Sequence, residues 1–305
     1  MTLDKYILRT ITYTWPILVF LVISSTAYSQ NNPILKIGLI ADPQYQDIPA
    51  AGERQYRESL WKLKEAIDTL NYYNVDMIQN LGDIINAEWQ SYDSIMPVYQ
   101  CVKQGTPSYH VLGNHDFSVD SSQMKNILTT LSMPDYYYSY ESKGWRFIAL
   151  DATDVSYFSN VLHHYDTEVI DALYKKTKGK ENQYNWNSGI GVKQIAWLKS
   201  ELKDAELKNQ KVIIYSHMPI RPKASTNLWN NKEISQIIEK NMNVVAFISG
   251  HRHEGGYAYK KGVHYIGISG MVNTSMSSYG ILEIYNNRLV LNGYGNQEDL
   301  ILSYD

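Results

Sequence analysis

The chain has 305 residues, of which 44% are apolar and 19% charged, as in folded globular proteins rather than disordered chains, collagen-like fibres or polytopic membrane proteins. Its 28 basic and 31 acidic residues give a formal net charge of −3, so the composition provides no positive field for binding nucleic acid. The single cysteine, Cys101, excludes an intrachain disulfide framework, a cysteine-based zinc finger and a cysteine-ligated iron–sulfur cluster.

Residues 1–29 have the layout of a secretory signal peptide. Lys5 and Arg9 precede an apolar stretch over residues 15–23, and small residues follow at Ala27-Tyr28-Ser29. The apolar stretch is much shorter than the roughly 20 residues that a membrane-spanning helix needs. We therefore expect cleavage after Ala27 or Ser29 and a secreted or periplasmic protein, with an uncleaved anchor as the alternative.

Beyond the leader, strand-like apolar runs alternate with amphipathic segments, and no repeat or linker divides the chain. The strands predicted in this part are residues 34–41, 75–81, 108–112, 146–150, 212–215 and 244–249. Helices are predicted at residues 54–74 and 192–208, where apolar residues recur at steps of three and four. This alternation indicates one mixed α/β domain over residues 30–305.

The last third of the chain is richer in strands. Short strands are predicted at residues 257–259, 263–268, 280–285 and 289–293. Turn signals such as Lys261-Gly262 and Asn286-Asn287 lie between them. We therefore expect a strand-rich meander at this end of the domain.

Polar residues of metal-binding types stand at the carboxyl ends of five predicted strands. In chain order, these motifs are Asp42-Pro43-Gln44, Gly82-Asp83, Gly113-Asn114-His115-Asp116, Ser216-His217 and Gly250-His251-Arg252-His253. Ligands of open α/β sheets bind outside the carboxyl ends of the strands, so we expect the five motifs to converge. Each motif alone is a weak signal, because a histidine after a strand is usually structural, but five in series are a strong one.

The donor set consists of carboxylates, amide oxygens and imidazoles without a thiolate, which suits manganese, iron or zinc. The candidate ligands are Asp42, Gln44, Asp83, Asn114, His217, His251 and His253. Because this set is too large for one ion, we expect two divalent ions that share one carboxylate. Two adjacent ions clamp the attacking and leaving oxygens of a phosphoryl displacement, and a water bridging them would be the hydroxide nucleophile.

The order of these motifs resembles the signature of the calcineurin-like metallophosphoesterases. Most members have histidine where this chain has Gln44. In having glutamine at this position, the chain resembles the manganese-dependent ADP-ribose/CDP-alcohol diphosphatase branch of the family. Other segments that resemble this branch are residues 40–45, 56–60, 79–85, 150–156, 187–191, 216–220 and 255–257. The resemblance runs from about residue 37 to about residue 295 and implies a four-layer α/β/β/α sandwich of two mixed sheets.

The resemblance also implies a role for each motif residue. One ion would take Asp42, Gln44, Asp83 and His253, and the other would share Asp83 and take Asn114, His217 and His251. His115 would be the catalytic acid that protonates the leaving oxygen or stabilises charge on the transferred phosphoryl group.

Three further residues are candidates for binding the substrate. Arg57 and Arg252 suit a substrate phosphate, because arginine binds phosphate in a fork. Asn187 lies next to Trp186 in a segment that would line a nucleotide pocket. An equal alternative for Arg57 is that it lies on a solvent-exposed face of a helix. An equal alternative for Trp186 is that its ring packs in the core.

Individual motif residues also have simpler interpretations. Asp83 and Asn114 fit ordinary turns after strands. Gln44 fits a non-ligating replacement that weakens the first metal, and His115 fits a structural role. None of these simpler interpretations explains why all five motifs occur together.

The leading functional hypothesis is a binuclear metal-dependent hydrolase that cleaves the diphosphate bond of ADP-ribose or CDP-alcohol conjugates. The alternative is an exported phosphomonoesterase or phosphodiesterase with the same metal centre, since the motifs do not select the leaving group. A metal-free scaffold or an exported nucleotide-binding protein would not need the ligand set. We expect a small phosphorylated substrate as partner, no nucleic-acid scaffold role and no stable membrane association after signal cleavage. The predicted export conflicts with these intracellular substrates, which leaves the substrate open.

Overall fold

A computed structural model describes residues 32–304, so the predicted signal peptide lies outside the described residues. The chain folds into two six-stranded mixed sheets with helices on their outer faces. Among the described residues, no helix combines the length and the apolar character that crossing a membrane requires.

The strands and helices alternate through most of the chain. The strands are β1 (Leu35–Ile40), β2 (Met77–Asn80), β3 (Ser108–His110), β4 (Tyr138–Ser142), β5 (Trp145–Ala149), β6 (Lys211–Ser216), β7 (Val244–Ser249), β8 (Gly256–Lys260), β9 (Val263–Gly267), β10 (Tyr279–Ile284), β11 (Arg288–Tyr294) and β12 (Leu300–Ser303). The α-helices are α1 (Ser59–Tyr72), α2 (Trp89–Tyr99), α3 (Ser121–Met124), α4 (Ile127–Thr130), α5 (Asn160–His163), α6 (Thr167–Lys175), α7 (Val192–Leu207) and α8 (Asn231–Ile238), and a short 3₁₀ helix spans His115–Phe117.

Each sheet combines parallel and antiparallel strands, with the parallel strands at one side of the first sheet and in the centre of the second. The first sheet has the order β12-β11-β10-β1-β2-β3, in which β1, β2 and β3 are parallel. The second has the order β4-β5-β6-β7-β9-β8, in which β5, β6, β7 and β9 are parallel. This arrangement is the expected four-layer α/β/β/α sandwich.

The alternation of side chains along the strands creates two apolar layers in the second sheet. Phe147 and Ala149 of β5 pack in the core that the two sheets share. Ile148 and Leu150 point to the opposite face and pack with residues of α7 and α8. On the other side of the molecule, α1 lies directly on β1, because a Cβ on Gly38 would come within 2.6 Å of Leu70.

The predicted elements differ from the structure in three respects. The C-terminal strands do not form one meander: β8 and β9 join the second sheet, whereas β10, β11 and β12 extend the first. The edge strands β4 and β12 were not predicted, because β4 is rich in polar residues and β12 has only four. The predicted helix at residues 54–74 begins at Ser59 and ends at Tyr72.

The fold brings the carboxyl ends of the parallel strands of both sheets together. The loops after β1 and β2 are joined by the backbone N–H of Asp42, which donates to the carbonyl of Gly82 at 3.2 Å. Across the sheets, the backbone N–H of His251 donates to the Asp42 carboxylate at 3.0 Å. The five motifs of the sequence therefore meet at one edge of the sandwich.

Candidate metal centre

Four of the seven predicted ligands have an unusual backbone conformation. Asp42, Gln44, Asp83 and His251 have φ angles of 49°, 43°, 53° and 64°. A residue with a Cβ in this left-handed region costs about 1–3 kcal/mol, and such residues concentrate at functional sites. Their occurrence at the ends of β1, β2 and β7 therefore marks this edge of the sandwich as a site.

The ligands predicted for the first ion lie in contact with one another. Gln44 Nε2 donates to Asp83 Oδ2 at 2.9 Å and lies 3.2 Å from His253 Nε2. Asp42 Oδ1 lies 3.4 Å from the same imidazole nitrogen. The structure thus places these four side chains in one group.

The ligands predicted for the second ion surround the other side of Asp83. Its Oδ2 atom lies 3.3 Å from His217 Nε2, and that nitrogen lies 3.1 Å from His251 Nδ1. Asn114 is half-buried and lines the same cavity as Asp83 and His251. Asp83 is therefore the carboxylate whose Oδ2 atom contacts side chains of both groups.

Buried oxygen atoms of this centre lack hydrogen-bond partners. They are Asp42 Oδ1, Gln44 Oε1 and Asn114 Oδ1. An unpartnered buried acceptor costs about 1–3 kcal/mol, so three in one place need a cation or another donor. These oxygens, together with the imidazoles around them, form the mixed oxygen and nitrogen set that first-row divalent ions prefer, so the residues fit a metal centre.

The three imidazoles are each held through the nitrogen that faces away from the centre. His217 Nδ1 lies 2.7 Å from the carbonyl oxygen of Leu81, and His253 Nδ1 lies 2.8 Å from Asn273 Oδ1. His251 Nε2 lies 3.1 Å from Asn187 Oδ1. If each of these nitrogens donates its proton to the oxygen, the other nitrogen presents a lone pair to the centre, as histidine ligands of metals do.

The electrostatics of the centre favour ionised carboxylate. Burial opposes ionisation of Asp83, but the neighbouring His217 and His115 hold the pKa of its carboxyl well below its usual range. Burial likewise acts against the charge on His217, yet Asp83 raises the pKa of this imidazole to about 9. Burial, reinforced by His217, lowers the pKa of His251 well below its usual value, which favours the neutral imidazole.

His115 lies beside the predicted ligands with one ring nitrogen free. Its backbone N–H donates to Asp83 Oδ1 at 2.8 Å, and its Nδ1 lies 2.9 Å from the carbonyl oxygen of Asn86. The side chain is half-buried and lines the cavity. Its Nε2 is thus left for a substrate, which is the position that the predicted catalytic acid requires.

Asp116 has a structural role that the sequence did not specify. Its Oδ2 accepts the backbone N–H groups of Asp83 and Gly113, both at 2.9 Å. Its Oδ1 accepts the N–H of Ile84 at 2.9 Å and the hydroxyl of Tyr92 at 3.0 Å. This buried carboxylate therefore joins the loops that carry Asp83 and Asn114.

A cavity of about 440 Å³ opens over the centre. The residues that line it are Gln44, Arg54, Asp83, Asn114, His115, Trp186, Ser225, Thr226, His251 and His253. Arg54, Ser225 and Thr226 were not predicted. Trp186 is 44% exposed and stacks on Tyr184, with ring centroids 3.9 Å apart, rather than packing in the core.

The three residues predicted to bind the substrate are not among those that line this cavity. Arg57 is exposed and forms an ion pair with Asp47. Arg252 lines a separate hollow, where its Nε lies 3.6 Å from Glu254. Asn187 is buried, and its Oδ1 atom lies 3.1 Å from His251 Nε2.

Among the described arginines, Arg54 is the one that lines the cavity. It lies three residues before Arg57, in a segment that forms a β-bridge with Asn273. No feature of the local sequence distinguishes Arg54 from Arg57.

Known proteins are similar to this chain in sequence and in fold. A manganese-dependent ADP-ribose/CDP-alcohol diphosphatase of Arabidopsis thaliana is 30% identical, over 86% of this chain and 95% of that protein. The Homo sapiens protein of the same name is 29% identical, over 89% and 93% of the two chains. A dimetal phosphatase from Danio rerio has a similar structure, with a TM-score of 0.79, 26% identity and coverage of 90% of this chain and 100% of that one.

The fold and the convergent ligand set define a metal-dependent hydrolase of phosphate esters or anhydrides. The chain belongs to the calcineurin-like phosphoesterase family, whose family model matches residues 35–255. That match includes all five motifs at the strand ends.

Proposed function

We propose that the protein is a manganese-dependent diphosphatase that hydrolyses nucleoside diphosphate conjugates of the ADP-ribose or CDP-alcohol type. The observation that carries this proposal is the group of seven side chains around Asp83, with its three unpartnered buried oxygens. The similarity to relatives that are named for these substrates and for manganese supports the substrate class and the metal.

The proposed reaction adds one water to the diphosphate and releases two phosphate monoesters. In it, an oxygen of water bonds to one phosphorus while the bond from that phosphorus to the bridging oxygen breaks. When bound, two ions would supply Lewis acidity and lower the pKa of a water molecule. Asp42, Gln44, Asp83 and His253 would hold one ion, and Asp83, Asn114, His217 and His251 the other.

The residues around the ligands supply the remaining functions. His115 would act as an imidazolium that donates from Nδ1 to the carbonyl of Asn86 and from Nε2 to the leaving phosphate oxygen. Arg54 is placed to bind the phosphate that is not attacked, since a guanidinium binds phosphate oxygens in pairs. The exposed ring of Trp186 offers a flat apolar surface to the nucleoside.

A comparison of substrates tests the proposal. The purified protein with added Mn²⁺ is assayed on ADP-ribose, CDP-choline, p-nitrophenyl phosphate and bis-p-nitrophenyl phosphate. We expect faster hydrolysis of the first two, and its loss in Asp83→Asn. Faster hydrolysis of the nitrophenyl esters would instead favour the phosphomonoesterase or phosphodiesterase alternative, and no hydrolysis of any of the four would contradict both.

We further propose that the protein is exported, on the basis of the basic, apolar and small-residue pattern of residues 1–29. Cell fractionation with N-terminal sequencing tests this. A mature protein that starts at Tyr28 or Gln30 outside the cytoplasm is the expected result, and an intact N-terminus in the cytoplasmic fraction would overturn it.

A further inference from the structure

A second group of potential metal ligands lies outside the candidate metal centre. Asp151, Asp154 and His163, here called the Asp151 cluster, each offer one ligand atom within 4.8 Å of the other two. Asp151 and Asp154 follow β5, and His163 ends α5. No hydrogen bond or ion pair among residues 32–304 joins these three side chains to the seven predicted ligands.

Asp151 Oδ2 and His163 Nε2 are buried and face each other at 3.2 Å, within ion-pair distance. Neither atom makes a hydrogen bond in the part of the chain that the structure describes. The side chain of Asp151 is 1% exposed and that of His163 is 10% exposed. Two ligands at about 2.1 Å from one ion stand roughly 3.0–3.4 Å apart, so this separation fits a shared cation.

The other carboxylate contacts hold the cluster in place. Asp151 Oδ1 accepts the backbone N–H and the hydroxyl of Thr153 at 2.8 Å and 2.5 Å. Asp154 Oδ2 accepts the N–H of Gly191 at 2.8 Å and Gln194 Nε2 at 3.1 Å. Such outer contacts orient the ligands of metal sites, and here they leave Asp151 Oδ2 directed at His163.

The Asp151 cluster has a net negative charge, which a bound cation would balance. Two carboxylates with one imidazole remain negative even when His163 is protonated, and buried charges are normally paired or bound to a metal. Burial raises the pKa of the Asp151 carboxyl to about 6; His163 opposes this rise and the charge of Asp154 adds to it. A cavity of about 350 Å³, lined by Asp154 and His163, gives an ion a path from solvent.

We propose that the Asp151 cluster binds one first-row divalent cation, separately from the catalytic pair. Two carboxylate oxygens and an imidazole nitrogen suit Mn²⁺ or Zn²⁺. The bound ion would join the loop after β5 to the segment that contains Gly191, to which Asp154 is already hydrogen-bonded. Asn187, which holds His251, lies in the same segment, so the ion would stabilise the surroundings of the catalytic centre without taking part in the reaction.

Counting bound Mn²⁺ tests the proposal. The metal-stripped protein and its variants are titrated with Mn²⁺, and the free ion is followed by electron paramagnetic resonance. His163→Gln and Asp151→Asn should each bind one Mn²⁺ fewer than the wild type. His164→Gln is the matched control, because His164 is exposed and lines the same cavity outside the cluster, and it should bind the wild-type number. Equal numbers in wild type and His163→Gln would overturn the proposal.

A second measurement separates loss of the ion from loss of the fold and from failure of the catalytic centre. In an Asp83→Asn background, which removes the carboxylate shared by the two catalytic groups, Mn²⁺ should still raise the Tm. Adding His163→Gln should abolish that rise, while circular dichroism shows a folded chain. A rise of the same size with His163→Gln present would contradict the proposal whatever the activity of the enzyme.

Discussion

Replacing Gly113 by alanine should disturb Asp83 selectively. A Cβ at position 113 would lie 2.1 Å from Asp83 Oδ1 and 2.7 Å from the Asp83 backbone nitrogen. Non-bonded heavy atoms prefer separations of about 3.5–4.0 Å, so the carboxylate has to move by more than about 1 Å. That movement breaks the hydrogen bond of 2.8 Å from the His115 N–H to Asp83 Oδ1.

The size of the effect follows from these contacts. Overpacking costs about 1–3 kcal/mol and the lost hydrogen bond to a charged group about 1.5–3 kcal/mol. We therefore expect Gly113→Ala to lower the free energy of unfolding by roughly 2.5–6 kcal/mol, which leaves a protein in the middle of the usual stability range folded. We also expect at least about a 10-fold loss of Mn²⁺ affinity, because the carboxylate that contacts both ligand groups is displaced.

Urea unfolding in the presence of EDTA measures the stability of this variant, and calorimetric titration measures its Mn²⁺ affinity. Gly105→Ala is the control, because Gly105 has a φ of 88° and nothing within 4 Å of its Cβ position. It should lose about 1–2 kcal/mol through backbone strain and keep the wild-type Mn²⁺ affinity. Wild-type affinity in Gly113→Ala would refute the role given to Asp83.

Further predictions concern the cavity and the core. Arg54→Ala should raise the KM for ADP-ribose about 10-fold or more, whereas Arg57→Ala should leave it unchanged; equal effects in steady-state assays would contradict the assignment. Trp186→Ala should raise the KM for ADP-ribose more than that for p-nitrophenyl phosphate, and equal changes would exclude a contact with the nucleoside. Burial lowers the pKa of His110 from 6.5 to about 4, so the unfolded chain binds more protons between these values. The free energy of unfolding should therefore fall by up to about 1.4 kcal/mol per pH unit from pH 6.5 towards pH 4, and His110→Phe should remove that contribution; an unchanged pH dependence of urea unfolding in this variant would refute it.

The sequence predicted the parts of the site that follow directly from strand ends. The predicted ligands that lie one to four residues after the last residue of a strand include Asp42, Asp83, Asn114, His217 and His251. The rule for open α/β sheets therefore places them at one edge. The central strands were also predictable, because strands buried on both faces are continuous apolar runs, as β7 is. The ends of the sheets were not, because polar or short edge strands carry little hydrophobic pattern.

The contacts that depend on tertiary packing could not be predicted in the same way. Arg54 and Arg57 lie on the same short segment, and only the packing of the loop against Asn273 brings Arg54 to the cavity. Asp116 bonds to backbone groups more than 30 residues away, and no local pattern indicates them. His163 meets Asp151 through a loop whose conformation depends on long-range hydrogen bonds to Gly191 and Gln194.

We propose that the group of ligands around Asp83 makes the protein a metal-dependent diphosphatase. The most direct test measures the rate of ADP-ribose cleavage as Mn²⁺ is returned to the metal-stripped protein. We predict no cleavage before Mn²⁺ is added, and afterwards AMP and ribose 5-phosphate in equal amounts, with no cleavage at any Mn²⁺ concentration in Asp83→Asn. Cleavage that persists in the stripped protein, or that survives in Asp83→Asn, would contradict the account.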